Sequence, residues 1–151
     1  MCVRIRIEAS DAEEIIIRCR EKNDRIKRLE FAIEEALRHD DTITLSAGGA
    51  DCFVPKSEIL YFESSSGAVY AHTPSHIYTT HYKLCELEDM MAPRFARVSK
   101  SAVANLMRIS SVKREVVGNG VLTFYDCDKK VWFSRAYFKL LQYKLNEMRN
   151  E

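Results

Sequence analysis

The most basic part of this 151-residue chain opens with Arg94-Phe95-Ala96-Arg97-Val98-Ser99-Lys100-Ser101. It continues to Val131-Trp132-Phe133-Ser134-Arg135 and a final helix that reaches Leu145. From Arg94 to Lys144 there are eleven Lys/Arg against three Asp/Glu, a local net charge of +8 in a chain whose total is +1. Positive charge concentrated in one segment predicts an anionic partner more strongly than a high overall pI would.

The composition of the whole chain predicts a soluble globular protein of one domain, or one domain with a small appendage. Apolar residues make up 46% of the sequence, and positive and negative charges are balanced. No apolar run approaches the ~18 residues that span a bilayer, and residues 1–7 alternate charge with apolar side chains, unlike a signal peptide. The five cysteines are odd in number and show no Cys-x-x-Cys spacing, so we expect a reduced, cytoplasmic protein.

Residues 1–41 predict a small strand-strand-helix segment. Strands are expected at Val3–Glu8, where β-branched and charged residues alternate, and at Glu13–Cys19, which contains three consecutive isoleucines. An amphipathic helix follows at 21–38, with its apolar stripe at Ile26, Leu29, Ile33 and Leu37. The segment has a net charge of −2, so we do not expect it to contact nucleic acid. The stripe is interpreted either as a cover for its own two strands or as a dimer contact.

Residues 42–151 predict a second unit, in which short strands alternate with turns. Gly48-Gly49, Pro74-Ser75 and Gly118-Asn119-Gly120 are expected to join hairpins. A short helix is expected from Tyr82 to Met91, and Ser134 is placed to cap the last helix. The predicted fold class is therefore α+β, mostly antiparallel β, with short helices, a C-terminal helix and the small strand-strand-helix segment in front.

Several stretches, in this order and spacing, resemble the LytTR family of DNA-binding domains found in bacterial transcription regulators. They comprise Ile59-Leu60-Tyr61-Phe62-Glu63-Ser64, Thr79/Thr80 leading to Leu84 and Leu87, Arg94 to Ser101, Val103-Ala104-Asn105 with Ile109, Gly120, and Val131 to Arg135. The resemblance covers about residues 41–145. The first forty residues resemble the leader of stand-alone members, and they are too few for a receiver domain.

The resemblance implies an elongated β domain that lays loops, and no recognition helix, into successive major grooves of double-stranded DNA. Lys100 and Arg135 stand at the positions that the family uses against DNA, and they are our first candidates for base contacts. The remaining candidates are Ser65 and Ser66 in a loop at 64–67, Ser99 and Ser101 beside Lys100, and Arg108 and Lys113, proposed as phosphate contacts from charge alone.

Four other residues have competing interpretations. Arg97 is expected either to pair with a carboxylate such as Glu63 or to touch DNA. Trp132 is interpreted as structural, since it lies between Val131 and Phe133 on a strand, and the alternative is that it stacks on a base in a single-strand binder. Asn105 is expected to be a cap or turn residue that holds the Lys100 loop. Lys129, like its neighbour Lys130, is expected at a solvated turn, and the alternative for Lys129 is a phosphate contact.

Two other function classes compete with DNA binding. One is an enzyme or metal protein, since His72, His76 and His81 are possible metal ligands. They span a hairpin, however, and no cysteine motif accompanies them. We therefore expect no enzymatic activity, metal, cofactor or small-molecule substrate. The other class is a protein-interaction module with little DNA affinity, acting through helix 21–38. We expect a homodimer or tandem binding on adjacent sites, and the resemblance also implies a small membrane protein as a regulator.

Overall fold

The computed structural model describes residues 15–37 and 41–150. The chain divides into two compact units, Met1–Leu37 and Arg38–Glu151. In the described part of the chain, none of the helices is both long and apolar enough to cross a membrane.

The described part of the first unit contains one helix, α1 (Asp24–Leu37). Asn23 caps it, because its side-chain oxygen accepts a hydrogen bond from the backbone N–H of Ile26 at 3.1 Å. The amphipathic helix is thus confirmed, although it begins three residues later than predicted. None of its described side chains belongs to a buried core.

The strand predicted at Glu13–Cys19 is wrong in its described part, since residues 15–19 have no regular secondary structure. Ile15 and Ile16 are exposed there. A β-branched run becomes a strand only where a neighbour takes its backbone hydrogen bonds, and within residues 15–37 there is no such neighbour. The strand predicted at Val3–Glu8 lies outside the described residues.

Over residues 41–150, the second unit is built from two antiparallel sheets and two α-helices, and the predicted α+β, mostly antiparallel fold is confirmed. The large sheet has the order β2-β1-β5-β4-β3-β7-β6, and the small sheet has the order β10-β9-β8. The strands of the large sheet are β1 (Thr42–Ala47), β2 (Ala50–Pro55), β3 (Tyr61–Ser65), β4 (Ala68–His72), β5 (Ile77–Thr80), β6 (Phe95–Ser99) and β7 (Ala102–Asn105). Those of the small sheet are β8 (Ile109–Arg114), β9 (Gly120–Phe124) and β10 (Lys130–Phe133), and the helices are α2 (Leu84–Met90) and α3 (Arg135–Asn150).

The large sheet is covered on both faces around β3, β7 and β6. On one face Phe62, Phe95 and Val103 join a buried cluster with Leu84 and Leu87 of α2. On the other face Tyr61, Val98 and Ala104 pack against residues of the small sheet and α3, among them Leu122, Phe133 and Leu141. Every residue of β7 is buried as a result. The turns at the ends of these strands reach solvent, and a core on each side fixes their position.

Candidate nucleic-acid interface

The turn that carries Lys100 joins β6 to β7. Ser99 pairs with Ala102, so Lys100 and Ser101 form the two-residue tip, and both are exposed. A register shift between Arg97 and Ser99 bends β6 just before the tip. Because β6 and β7 are buried between the two cores, the sequence can place Lys100 only outward, at the end of the hairpin.

The Arg97 side chain stabilises this turn through hydrogen bonds to its backbone. Its Nε donates a hydrogen bond to the Ser99 carbonyl at 2.7 Å, and its Nη2 donates another to the Lys100 carbonyl. Its Nη1 lies 3.6 Å from the Glu88 carboxylate of α2, so the partner carboxylate is Glu88 and not Glu63. The Arg97 side chain is only 18% exposed. The guanidinium thus donates its hydrogen bonds to the backbone of the turn, and in this way it positions Lys100.

The hydroxyls beside Lys100 also shape the turn. The backbone N–H of Ser101 donates to Ser99 Oγ at 3.2 Å, and the two Oγ atoms lie 3.3 Å apart. Ser99 is therefore partly occupied in local hydrogen bonding, which is typical of serine at a turn. The Ser101 hydroxyl is exposed beside Lys100.

The second candidate piece is the tip of the β3–β4 hairpin. Ser64 and Ser65 belong to β3 and pair with Val69 and Ala68, so the loop predicted at 64–67 is in fact a two-residue turn. Its two residues, Ser66 and Gly67, have φ of 52° and 80°, the left-handed conformation that a tight hairpin of this kind requires. The serine hydroxyls at positions 65 and 66 remain exposed.

The third candidate, Arg135, is the first residue of α3. Its backbone N–H donates to the side-chain oxygen of Asn119, in the β8–β9 turn, at 2.8 Å. A Cβ at Gly118 (φ +95°) would lie 2.9 Å from Arg135 Cγ, so the stem of the arginine lies directly over this glycine. Gly118 and Asn119 thus form a seat that orients Arg135 at the start of the helix.

Ser134 does not cap α3 as predicted. Its hydroxyl oxygen is buried and has no hydrogen-bond partner within the described residues. Its backbone N–H donates instead to the Val98 carbonyl at 2.9 Å. The N–H of Arg135, the first of the helix, is bonded to Asn119 instead.

Two main-chain hydrogen bonds bring the three pieces together. Ser64 N–H donates to the Ser101 carbonyl at 2.8 Å, which joins the β3–β4 tip to the Lys100 turn. Ser134 N–H, bonded to Val98, joins the start of α3 to the strand that leads into the same turn. Lys100 therefore lies between the serine tip on one side and Arg135 on the other.

The remaining sequence candidates lie elsewhere. Arg108 follows β7 at its opposite end, and it lines an open polar cavity of about 320 Å³ with residues of the β4–β5 turn. Its Nε is buried and lacks a hydrogen-bond partner in the described part of the protein. Lys129 is at this end too, where its Nζ donates to the His76 carbonyl at 3.2 Å. Lys113 is exposed on β8, in the small sheet.

Asn105 caps the short 3₁₀ helix that follows β7, which confirms the predicted cap, but it lies at this opposite end and does not hold the Lys100 loop. Its side chain is buried, donates to the Ile59 carbonyl at 2.8 Å and accepts from the N–H of Met107 at 3.0 Å. It thus ties β7 to the segment before β3 and begins the short 3₁₀ helix Leu106–Arg108.

His72 lies in a partly buried environment on β4. Its ring stacks on Tyr61 with a centroid separation of 4.3 Å, and its Nε2 lies 3.4 Å from the Glu63 carboxylate. Burial, with a smaller contribution from the charge of Lys129, lowers the pKa of His72 to about 4. Burial likewise raises the pKa of Tyr61 to about 12. Across residues 15–37 and 41–150, no three His, Cys, Asp or Glu side chains are grouped as a metal site would require.

Sequence reasoning missed three contributors to this surface. It predicted Gly118-Asn119 only as a turn. It favoured a structural role for Trp132 over base stacking, and the ring is 59% exposed. It also missed that Arg97 bonds the backbone of the Lys100 turn. The alternation of Val131, Trp132 and Phe133 already placed the tryptophan on the opposite face from its neighbours, which was the available signal.

Comparison with known proteins identifies the family and the fold. The family model described as the LytTr DNA-binding domain matches residues 50–146, close to two thirds of the chain. Among solved structures, the fold is similar to a LytTr DNA-binding domain from Bacillus cereus, with a TM-score of 0.64 and 22% sequence identity, over 69% of this chain and 95% of that one. No curated protein matches the sequence. On the family match, this chain belongs to the LytTR family of DNA-binding domains.

Proposed function

We propose that this protein is a transcription regulator that binds double-stranded DNA sequence-specifically, with the Lys100 turn, the β3–β4 tip and Arg135 in the major groove. The observation that carries the proposal is the pair of main-chain hydrogen bonds, Ser64 to Ser101 and Ser134 to Val98, which places these three pieces side by side. Family membership supports DNA as the partner.

The chemistry of the three pieces is suited to base and phosphate contacts. Arg135 offers a planar fork of donors that can bind guanine O6 and N7 together, the commonest specific contact in the major groove. Lys100 offers a flexible ammonium between the hydroxyls of Ser99 and Ser101. The hydroxyls of Ser65 and Ser66 are suited to phosphate oxygens or base edges.

Selection from a random duplex pool tests sequence specificity directly. With competitor DNA present, we expect a short motif to be enriched, and the affinity for that motif to fall steeply between ~50 and ~200 mM salt because phosphate contacts release counterions. Lys83→Gln, an exposed substitution on the α2 side of the domain, serves as a control that keeps the motif. Failure to enrich any sequence would sink the proposal.

We propose further that two copies act together, as a dimer through α1 or on adjacent sites. Leu29 is 38% exposed and Phe31 is 39% exposed on this helix, so apolar surface is open to a partner in the described part of the unit. Light scattering of the full chain should give twice 17.5 kDa, and Leu29→Glu should halve that mass while Glu34→Gln leaves it unchanged. A wild-type mass of one chain would reject the dimer.

A further inference from the structure

The small sheet has an outer face whose composition follows from its strand register. Lys113 pairs with Val121, and Val121 pairs with Trp132. Directly paired residues on neighbouring strands point to the same face of a sheet, so these three form one row. The alternate residues Leu122, Val131 and Phe133 are buried on the opposite face.

A second row lies two residues along the same strands. Ser111 pairs with Thr123, and Thr123 pairs with Lys130. Their hydroxyls are close to each other, since Ser111 Oγ and Thr123 Oγ1 form a hydrogen bond and Ser110 Oγ lies 3.1 Å from Thr123 Oγ1. These two rows carry two lysines, two hydroxyl residues, a valine and the tryptophan, and the nearest carboxylate along β8 is that of Glu115, two residues after Lys113.

The exposure of this face calls for a partner. Trp132 is 59% exposed, and Lys113 and Lys130 are exposed as well. Within the described residues neither lysine forms an ion pair. A partner that stabilises this face would offer negative charge to the two lysines and apolar surface to the tryptophan ring. A nucleic-acid backbone has both, in its phosphates and its deoxyribose rings.

The position of the face selects the same partner. The row after that of Trp132, Arg114–Gly120–Phe133, belongs to the buried face, and Ser134 and Arg135 follow it in sequence. Trp132 therefore precedes the residue proposed to read a base pair by three positions, at the end of the strand that leads directly into α3. Lys113 and Trp132 lie two strands apart. The usual spacing of neighbouring strands puts their backbones about 10 Å from each other.

We propose that the outer face of the small sheet is a second DNA-contact surface, in which Lys113 and Lys130 bind backbone phosphates around Trp132, beside the base pairs that Arg135 contacts. This inference rests on the proposed DNA binding. It assigns to Trp132 a contact with the sugar-phosphate backbone of the duplex. It also assigns Lys130 a phosphate contact that its place beside a turn had not predicted.

The chain provides its own reporter, because Trp132 is its only tryptophan. Titration of the full-length protein with the selected duplex should shift or quench Trp132 emission with the same midpoint as the anisotropy of a labelled duplex. A single strand of the same sequence should require a higher concentration. A change of emission at lower concentrations of the single strand would overturn the inference in favour of base stacking.

Matched lysine variants give the second readout. The double variant Lys113→Gln/Lys130→Gln should weaken binding to selected and random duplexes by the same factor and reduce the slope of log affinity against log salt by about two. The control Lys27→Gln/Lys83→Gln should leave the slope unchanged. Trp132→Ser should lower the duplex affinity roughly five- to tenfold, from the apolar contact it removes.

The outcomes separate this inference from the proposed function. If the selected duplex binds but Trp132 emission does not change, or if the two double variants have equal salt slopes, the second surface is rejected and sequence-specific binding stands. If no duplex binds at all, the proposed function falls, and this inference falls with it.

Discussion

The backbone N–H of Arg135 and the side-chain oxygen of Asn119, sixteen residues earlier in the chain, are joined by a hydrogen bond of 2.8 Å. This bond satisfies a donor of the first turn of α3 from outside the helix. It also ties the β8–β9 turn to the residue most suited to read a base. The orientation of Arg135 therefore depends on the β8–β9 hairpin.

Removing the Arg135 side chain should affect specific binding most. Arg135→Ala is expected to cost roughly 1–3 kcal/mol of binding free energy on the selected duplex and to relax the preference at one base pair. Anisotropy on duplexes changed at each position of the motif measures both effects. Equal loss on every duplex would show that Arg135 contacts only phosphates.

Replacing Asn119, whose side chain accepts a hydrogen bond from the backbone N–H of Arg135, should reproduce part of that effect. Asn119→Ala leaves the N–H of Arg135 without its partner, so we expect a loss of about 1 kcal/mol in stability, as for other lost caps, and weaker binding of the selected duplex. Asn119→Asp keeps an oxygen acceptor and should restore most of both. Chemical denaturation and duplex competition measure them. Unchanged discrimination between selected and random duplexes in the alanine variant would contradict a positioning role.

A methyl group at Gly118 should disturb Arg135 directly. Both Gly118 and Gly49 have positive φ, but the added Cβ meets Arg135 only at Gly118, and at Gly49 it meets nothing within 4 Å. We therefore expect Gly118→Ala and Gly49→Ala to lose roughly 1 kcal/mol each from backbone strain. Only Gly118→Ala should also reduce discrimination between selected and random duplexes, and an equal reduction in both variants would refute the contact.

The Lys100 turn should depend on Arg97 through its carbonyl bonds. Arg97→Lys cannot reproduce the forked contacts with Ser99 and Lys100, so we expect roughly tenfold weaker binding of the selected duplex with a stability loss of about 1 kcal/mol. Glu88→Gln removes only a partly exposed ion pair and should change binding little. If the two variants bind alike, the carbonyl bonds are not what positions Lys100.

Acid should destabilise the domain through His72. Its pKa of about 4 in the folded state lies below the ordinary value of 6.5, so the unfolded chain takes up a proton that the folded chain does not. This proton uptake has no effect on stability above pH 6.5. It lowers the free energy of unfolding as the pH falls toward 4, and the effect reaches its full size below that. His72→Phe keeps the stack on Tyr61 and should flatten the decline between pH 7 and 5, measured by denaturant unfolding. Parallel profiles would contradict the assignment.

The hairpins of the second unit could be predicted because each is encoded locally. Alternating apolar residues give the strands, and Gly48-Gly49 or Pro74-Ser75 gives the turn, so neither depends on distant parts of the chain. The second predicted strand of the first unit failed for the opposite reason. Ile15 and its neighbours have β propensity, but propensity without a pairing partner does not make a strand.

The contacts that support the candidate site could not be predicted from the sequence. Lys100 and Arg135 were proposed from the family resemblance, and their contact with DNA stays a prediction. The bonds from Arg97 to two carbonyls and from Asn119 to Arg135 follow from tertiary geometry, which local patterns do not contain. The outer face that carries Trp132 likewise depends on which side of the small sheet the core covers. Strand alternation fixes only that Trp132 lies opposite Val131 and Phe133.

The bonds that join the three pieces run between main-chain atoms, from Ser64 to Ser101 and from Ser134 to Val98. Main-chain bonds form with any side chain that tolerates the backbone conformation. The residues at the tips can therefore be exchanged without dismantling the frame beneath them. We therefore expect that Ser65, Lys100 or Arg135 can be changed one at a time while the domain stays folded. Under the proposed function, such changes are a route to a new operator.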